Sequence, residues 1–426
     1  MRLTFPYQTE RLGVVRIYGV QHVFELDSGS PRPGESALSW GTTVCQVPDE
    51  TLRDVQRRMA VVVPCRNERL KLLEGVLTGI PHDCTLVFVS NSDREPIDRF
   101  AMERDSVERF CRFNQRSAMI VHQRDPGLAA AFAEAGMPEL IDSSGLVRHG
   151  KGEGMIAGTA LARLTGAEYV GFVDADNYVP GSVTEYVKAY AADFHLTDTP
   201  YAMVRISWHS KPKVVDGSIF FNRWGRASET TNRFLNLLVA YVTGFGTEAI
   251  RTGNAGEHAM TMELALRLPL ASGFAVEPME MLELFERYGG VDLRPGASVD
   301  TEVMREGVEV YQVETRNPHF HENKGEEHVE EMSYAALAAI HNSPVSPPRL
   351  RDEIVEHLLR EGIDPAVALS TPAVTYPPLS TLVWGTFGGV LAERADTFGQ
   401  ILFPGPDAFF VTPPPPLDVL EPRHHA

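Results

Sequence analysis

Apolar and polar residues alternate along the chain in blocks. "MAVVVPCRNE" (59–68) is an apolar, β-branched run stopped at Pro64, and "RLKLLEGVLTGI" (69–80) repeats apolar positions with helical spacing. The pattern predicts a strand, a loop and a helix. "CTLVFVSNS" (84–92) predicts a second buried strand with a polar end, and "SAMIVHQRDP" (117–126) a third that ends at His122 and Gln123. "GMIAGTALARLTG" (154–166) reads as a helix leading into the strand of "AEYVGFVDADNY" (167–178), with "SVTEYVKAYAADF" (182–194) as the helix after it. Strands alternating with helices imply an α/β fold whose mostly parallel, Rossmann-like sheet is covered on both faces. Ligands of such sheets bind beyond the carboxyl ends of the strands. Every polar motif just named lies at such an end.

The two ends of the chain read differently. In the first fifty residues "VVRIYGVQHVFEL" predicts a hairpin or strand pair. After about residue 345, "SPVSPPRL", "STPAVTYPPLS" and "VTPPPPLDVLEPRHHA" are rich in Pro, with one amphipathic helix, "RDEIVEHLLREG", between them. Residues 1–345 are read as a catalytic domain and 346–426 as a C-terminal appendage, partly extended.

Composition narrows the classes. The 426 residues are 43% hydrophobic and 23% charged, enough for a large core. A net charge of −18 without any basic stretch excludes a nucleic-acid binder. The four cysteines lack CxxC spacing and the N-terminus lacks a signal-peptide pattern, so reduced thiols and a cytoplasmic location are expected. No window approaches the roughly 20 apolar residues of a membrane span.

"YVGFVDADNY" raises the chemical question, because it ends a buried strand with two carboxylates, Asp174 and Asp176. Side by side they repel unless a cation lies with them, and carboxylate oxygens suit Mg²⁺ or Mn²⁺. The alternative is that one caps the following helix and the other is solvated. A metal at a sheet mouth holds the diphosphate of a nucleotide sugar or the triphosphate of a nucleotide. The first loop, "VVVPCRNE", has no glycine to let backbone approach a triphosphate, which favours sugar transfer. In "HGKGEGM", Gly150, Gly152 and Gly154 allow close backbone approach, and Lys151 puts a positive charge where a diphosphate would lie.

"VVVPCRNERLKLLEGVLTGIP", "VSNS", "GKGEGM", "FVDADNY", "NAGEHAMTMELALRLPL" and "VETRNPHFHENKGEEH", in that order, resemble the mannosyl-3-phosphoglycerate synthase family over roughly residues 1–340. The resemblance implies a GT-A glycosyltransferase fold, with about 55–205 binding the nucleotide sugar and about 206–345 the acceptor. It implies metal-dependent transfer of mannose from GDP-mannose to 3-phosphoglycerate with retention of configuration, giving the phosphorylated precursor of the compatible solute mannosylglycerate, and it implies a homodimer. Carried over residue by residue, Pro64, Arg66 and Glu68 would contact the guanosine. Ser90, Asn91 and Ser92 would wall the base and ribose, with Gln123 and Ala175 as further nucleotide-sugar contacts. Asp176 resembles the metal ligand, while Asp174 faces the ribose or the metal's waters. "RNPHFH" offers His319 or His321 as a further ligand, with His321 favoured, imidazole suiting Mn²⁺ better than Mg²⁺.

Acceptor binding falls by resemblance in "RTGNAGEHAM". Gly253, Asn254, Ala255 and Gly256 precede an apolar-periodic helix, where unpaired amides could bind an anion. Glu257 and His258 could orient the sugar or the acceptor hydroxyl, and Glu257 is also the one candidate nucleophile. Arg205, Lys211, Lys213, Arg223 and Arg226 form a basic set from which phosphate contacts could come, or which is simply solvated. Front-face attack needs no nucleophile and is the preferred route. The alternatives are a glucosyl-3-phosphoglycerate synthase, a direct mannosylglycerate synthase, and a nucleotide-sugar sensor without turnover.

Overall fold

The computed structural model describes residues 1–6, 8–27, 44–177, 179–215, 218–222, 226–290, 300–320, 326–370 and 374–403, with only the backbone for 211–226 and 326–328. The predicted α/β alternation is present. Strands β1 (Met59–Cys65), β2 (Thr85–Ser90), β3 (Ala118–His122) and β4 (Tyr169–Phe172) are parallel neighbours in the order β3-β2-β1-β4. The strand order reverses between β1 and β4. That is the switch point at which open α/β sheets hold ligands. Pro64 is tolerated inside β1 because β4 pairs with it only as far as Val62, so its missing N–H breaks no ladder on that side.

Beyond β4 the sheet is mixed. β5 (Ala202–Ser207) and β7 (Val308–Glu314) run parallel to each other, and β6 (His258–Thr261) is inserted antiparallel between β4 and β5. Helices cover both faces, because alternate residues of each central strand point to opposite cores. Val61 and Val63 pack with α1 (Leu70–Gly79), α2 (Arg99–Phe113) and α5 (Pro180–Leu196). Ala60 and Val62 pack with α3 (Pro126–Glu134), α4 (Lys151–Leu164), α6 (Arg226–Thr243) and α7 (Val276–Tyr288). Among the described residues no helix is long and apolar enough to cross a membrane. All four cysteines are buried and unpaired.

Two expectations are corrected. Val15–Tyr18 and Gln21–Glu25 do not form a hairpin with each other. Both run parallel to β7, one after the other, and the hairpin is Thr9–Leu12 with Val15–Tyr18. Alternation predicts strands but carries no information about which partner a strand chooses.

The second correction concerns the region after 345. Its described residues do not hang off the domain as an appendage, and 371–373 and 404–426 lie outside the described residues. α8 (Trp384–Arg394) packs on α3, and Phe387 is fully buried with its ring 4.8 Å from that of Phe132. β8 (Gly399–Ile401) then pairs antiparallel with β3 as the sheet's edge strand. The Tyr376 hydroxyl donates to Glu153 at 2.6 Å, tying this region to α4. Gly127 is obligatory at the seam, since a Cβ there would sit 2.2 Å from the Arg394 carbonyl.

Phe387→Ala is therefore expected to lower the stability of the whole domain by about 3–5 kcal/mol. Urea unfolding followed by tryptophan fluorescence and far-UV circular dichroism should show one shifted transition. A separate early transition with the main one unmoved would restore the appendage reading.

Candidate active site

The first loop is stitched to the end of β2. Asn67 takes a left-handed backbone conformation (φ 58°), and its N–H donates to the Ser92 hydroxyl at 2.7 Å. Its side chain exchanges two 3.0 Å hydrogen bonds with Asp93. Ser90 and Ser92, expected to wall a nucleoside, instead turn inward and donate to Glu103 at 2.7 and 2.6 Å. A buried carboxylate needs such donors, so both hydroxyls shape the wall without facing a ligand. Asn91 is held 2.9 Å from His149 Nδ1. A cavity of about 370 Å³ opens beside this loop, lined by Glu68, Asp93, Ile97, Arg99 and Met102 among others. Its size falls in the range of small-ligand pockets.

The glycine motif lies one turn deeper in a helix than expected. Lys151 is the first residue of α4, and the glycines admit protein neighbours where a diphosphate was expected. A Cβ on Gly152 would sit 1.9 Å from the Ala271 carbonyl, and one on Gly154 would sit 2.9 Å from Gln123 Oε1. Gln123 is likewise spent within the protein, donating to the carbonyls of Arg148 and Gly150.

Lys151 carries the strongest electrostatic feature of the site. Its Nζ lies 2.9 Å from Asp174 and 2.8 Å from Glu277 of α7. Burial by itself would lower its pKa, but the two carboxylates overcome this and hold it well above the usual lysine range. The ammonium therefore stays charged throughout the neutral and alkaline range. The like-charge problem of the two aspartates is thereby half resolved: Lys151 balances Asp174.

Asp176, 7% exposed, and Asn177 follow on the same turn, while Ala175 joins the apolar core. Asn177 Nδ2 donates to Glu257 at 2.8 Å, and Trp208 Nε1 donates to the other Glu257 oxygen at 2.9 Å. With both oxygens engaged and no exposed surface, Glu257 holds the strand end to the sheet and presents no nucleophile. Trp208 stacks on His319, with centroids 4.6 Å apart, and His319 Nδ1 lies 3.1 Å from the Tyr186 hydroxyl. A ring nitrogen held in this way is how metal-ligating histidines are oriented. Among the described residues no cluster of three or more metal-ligating side chains occurs, and His321 lies outside them. The donor types fit a divalent cation shared with water or phosphate oxygens: one carboxylate and one oriented imidazole.

The acceptor loop departs most from expectation. No long helix follows it. β6 begins at His258 and the next helix, Met262–Arg267, is short, so the loop amides are not a helix N-terminus. Gly253 N–H donates to Asn232 Oδ1 at 2.7 Å and Ala255 N–H to the Thr252 carbonyl at 3.2 Å. Arg205 and His258 do not reach the loop's outer face. Both are 0% exposed and share Glu280 of α7, at 2.6 and 3.0 Å. Arg205 also donates to the carbonyls of Thr252, Gly253 and Glu277, and His258 Nδ1 lies 2.9 Å from the Ala255 carbonyl. These two side chains brace the loop from behind. Of the other basic candidates, Arg223 lies outside the described residues, as do the side chains of Lys211, Lys213 and Arg226.

Pro64, Arg66 and Glu68 remain at the mouth of β1, and Asn254 and Gly256 in the loop. Gly256 joins the two halves, since a Cβ there would lie 2.7 Å from Asp174 Oδ2 and 3.0 Å from Lys151 Nζ. Sequence reasoning missed Glu277, Glu280, Asn177 and Trp208. A readable signal for the first two existed: "EPMEMLELFE" places four glutamates three residues apart in an apolar helix.

The protein is a glycosyltransferase by the family to which it belongs. A family profile described as mannosyl-3-phosphoglycerate synthase (osmo_MPGsynth) matches residues 5–391, and the chain belongs to that family. The match extends past residue 345, into the region that packs on α3. The mannosyl-3-phosphoglycerate synthase of Pyrococcus furiosus is 46% identical over 363 residues, covering 85% of this chain and 90% of the relative. That of Aeropyrum pernix is 36% identical over 399 residues, covering 93% and 99%. A solved glucosyl-3-phosphoglycerate synthase from Mycobacterium tuberculosis, in complex with Mn²⁺, UDP-glucose and phosphoglyceric acid, is 20% identical with a TM-score of 0.45, covering 82% and 97%.

Arg205→Met is expected to destabilise the protein by about 3–5 kcal/mol, because Glu280 would lose the buried guanidinium it pairs with at 2.6 Å. Burial raises the Glu280 pKa, but His258 and Arg205 more than reverse this and leave it depressed. A depressed carboxylate stabilises above its unfolded pKa, and that contribution fades as pH falls through the folded value. The gap between wild type and variant in denaturant titrations should accordingly narrow in acid. Unchanged stability with a selective loss of acceptor affinity would return Arg205 to the ligand.

Proposed function

We propose that the protein transfers mannose from GDP-mannose to the hydroxyl of 3-phosphoglycerate with retention of anomeric configuration. The observation that carries this reading is the meeting at Gly256. The lysine–aspartate pair suited to a sugar diphosphate touches the backbone of the loop assigned to the acceptor, with no room between them for a methyl group. Donor and acceptor sites so joined suit direct transfer from one to the other. The names carried by relatives covering most of the chain agree with it.

Pro64, Arg66 and Glu68 border the nucleoside, with the neighbouring cavity beside Glu68 and Asp93. Asp176 and His319, with His321 as the alternative imidazole, would hold Mg²⁺ or Mn²⁺. That ion would neutralise the diphosphate as it leaves. Lys151 supplies a permanent ammonium at the same place, favouring the negative charge that builds on the leaving group. The bond from the anomeric carbon to the diphosphate oxygen breaks on the face where the acceptor oxygen bonds. The hydroxyl proton passes to the departing phosphate oxygen. The engagement of both Glu257 oxygens supports this front-face route, because a double displacement needs a carboxylate at the anomeric carbon.

Incubation with GDP-mannose, 3-phosphoglycerate and Mg²⁺ or Mn²⁺, with product analysis by NMR, tests the reading. Mannosyl-3-phosphoglycerate of retained configuration is expected. Asp176→Ala should reduce turnover by about a hundredfold or more, the size of loss seen when charge-stabilising groups are removed. Faster transfer from UDP-glucose, transfer to unphosphorylated glycerate in preference, or donor binding without transfer would each overturn it.

A further inference from the structure

Helix α6 grips the loop 250–256 through two asparagines one turn apart, on one face. Asn236 is fully used: its Nδ2 donates to the Ile250 carbonyl at 2.8 Å and its Oδ1 accepts from Ile250 N–H at 2.9 Å. Asn232 does half as much. Its Oδ1 accepts from Gly253 N–H at 2.7 Å, and its Nδ2 has no hydrogen-bond partner among the described residues. Asn254, the next loop residue, has no partner among the described residues for either side-chain polar atom. Both residues are 4% exposed.

Buried polar groups are nearly always satisfied, so three orphaned atoms flanking one peptide call for a partner that arrives from outside. The arrangement is also held from behind. A Cβ on Gly253 would lie 2.8 Å from Thr231 Cγ2 and 3.0 Å from both Asn232 Oδ1 and Leu235 Cδ1, so helix and loop are pressed together. Two carboxamide N–H donors suit the oxygens of a carboxylate or phosphate, and the Asn254 carbonyl suits a hydroxyl. In a protein of net charge −18, uncharged donors at fixed positions select such a ligand by geometry.

We propose that Asn232 is a binding residue for the acceptor, donating from Nδ2 to an anionic oxygen of phosphoglycerate beside Asn254. This rests on the reading that the loop 253–256 receives the acceptor. Asn232 lies on a helix outside every motif that suggested the site.

Asn232→Asp tests the assignment, because it keeps an oxygen for Gly253 N–H and replaces the donor with a negative oxygen facing the anion. Asn232→Ala serves as a second variant if the first folds poorly, with melting temperature and KM for GDP-mannose as controls of integrity. The expected result is a KM for 3-phosphoglycerate raised about tenfold or more, the loss of a hydrogen bond to a charged group. kcat and the KM for GDP-mannose should stay within about twofold on the same scale. Calorimetric titration of 3-phosphoglycerate into the GDP complex should weaken in parallel. An unchanged acceptor KM, or a fall in kcat alone, overturns the assignment while the wild type remains active. Wild type without turnover of phosphoglycerate overturns the function itself, and the two failures are thus distinguishable.

Discussion

Helix α7 is held to the rest of the domain by buried charge that must be compensated. It carries Glu277, Glu280, Glu283 and Glu286, three residues apart and all buried. A buried carboxylate is costly unless paired and hydrogen-bonded. Glu277 takes Lys151, Glu280 takes Arg205 and His258, Glu283 takes Arg287, and Glu286 accepts from the Ser343 hydroxyl. Arg287 lies on α7 itself, so the helix can seat only where Lys151, Arg205, His258 and Ser343 converge. Because two of them belong to α4 and to the strand behind the loop 253–256, seating α7 positions Lys151 and that loop at once.

The same constraint explains why the site is rigid where chemistry needs it. Lys151 cannot swing away from Asp174 without breaking its pairs with two carboxylates, and the loop carbonyls of Thr252, Gly253 and Ala255 are pinned by the side chains of Arg205 and His258, which have no exposed surface. Reacting groups held in place before substrate arrives lower the cost of orientation. The C-terminal region takes part from the far side. Tyr376 bonds Glu153, whose own pKa is raised by burial despite that bond, and Glu153 Oε2 accepts from Gly273 N–H. Residues 376 and 273 therefore brace the first turn of α4, which carries Lys151.

Period-two and period-3.6 patterning made β1 to β4 and their helices legible, together with the polar ends at which a ligand had to lie. The aspartates, Lys151 and the loop 253–256 stood out for the same reason: short motifs at strand ends keep their local conformation wherever the sheet is built. Individual roles were less legible. Ser90, Ser92, Gln123, Arg205 and His258 are the residue types that bind phosphates and nucleosides, and each is spent on a neighbour distant in sequence. Nothing local distinguishes an arginine aimed at a substrate from one aimed at Glu280, 75 positions away.

By itself the sequence determined the alternation of strands and helices, the acidic surface, the buried strand that ends in two carboxylates and the family to which the motifs belong. These are local properties, set by hydrophobic periodicity and by residue identity at fixed spacing. Only the tertiary structure decided that Gly399–Ile401 completes the sheet, that Gly150 to Gly154 admit protein neighbours, and that Asn232 stands beside the loop 253–256. Each of those depends on which distant surfaces can compensate one another's buried charge and fill one another's volume, and that is settled when the chain closes on itself.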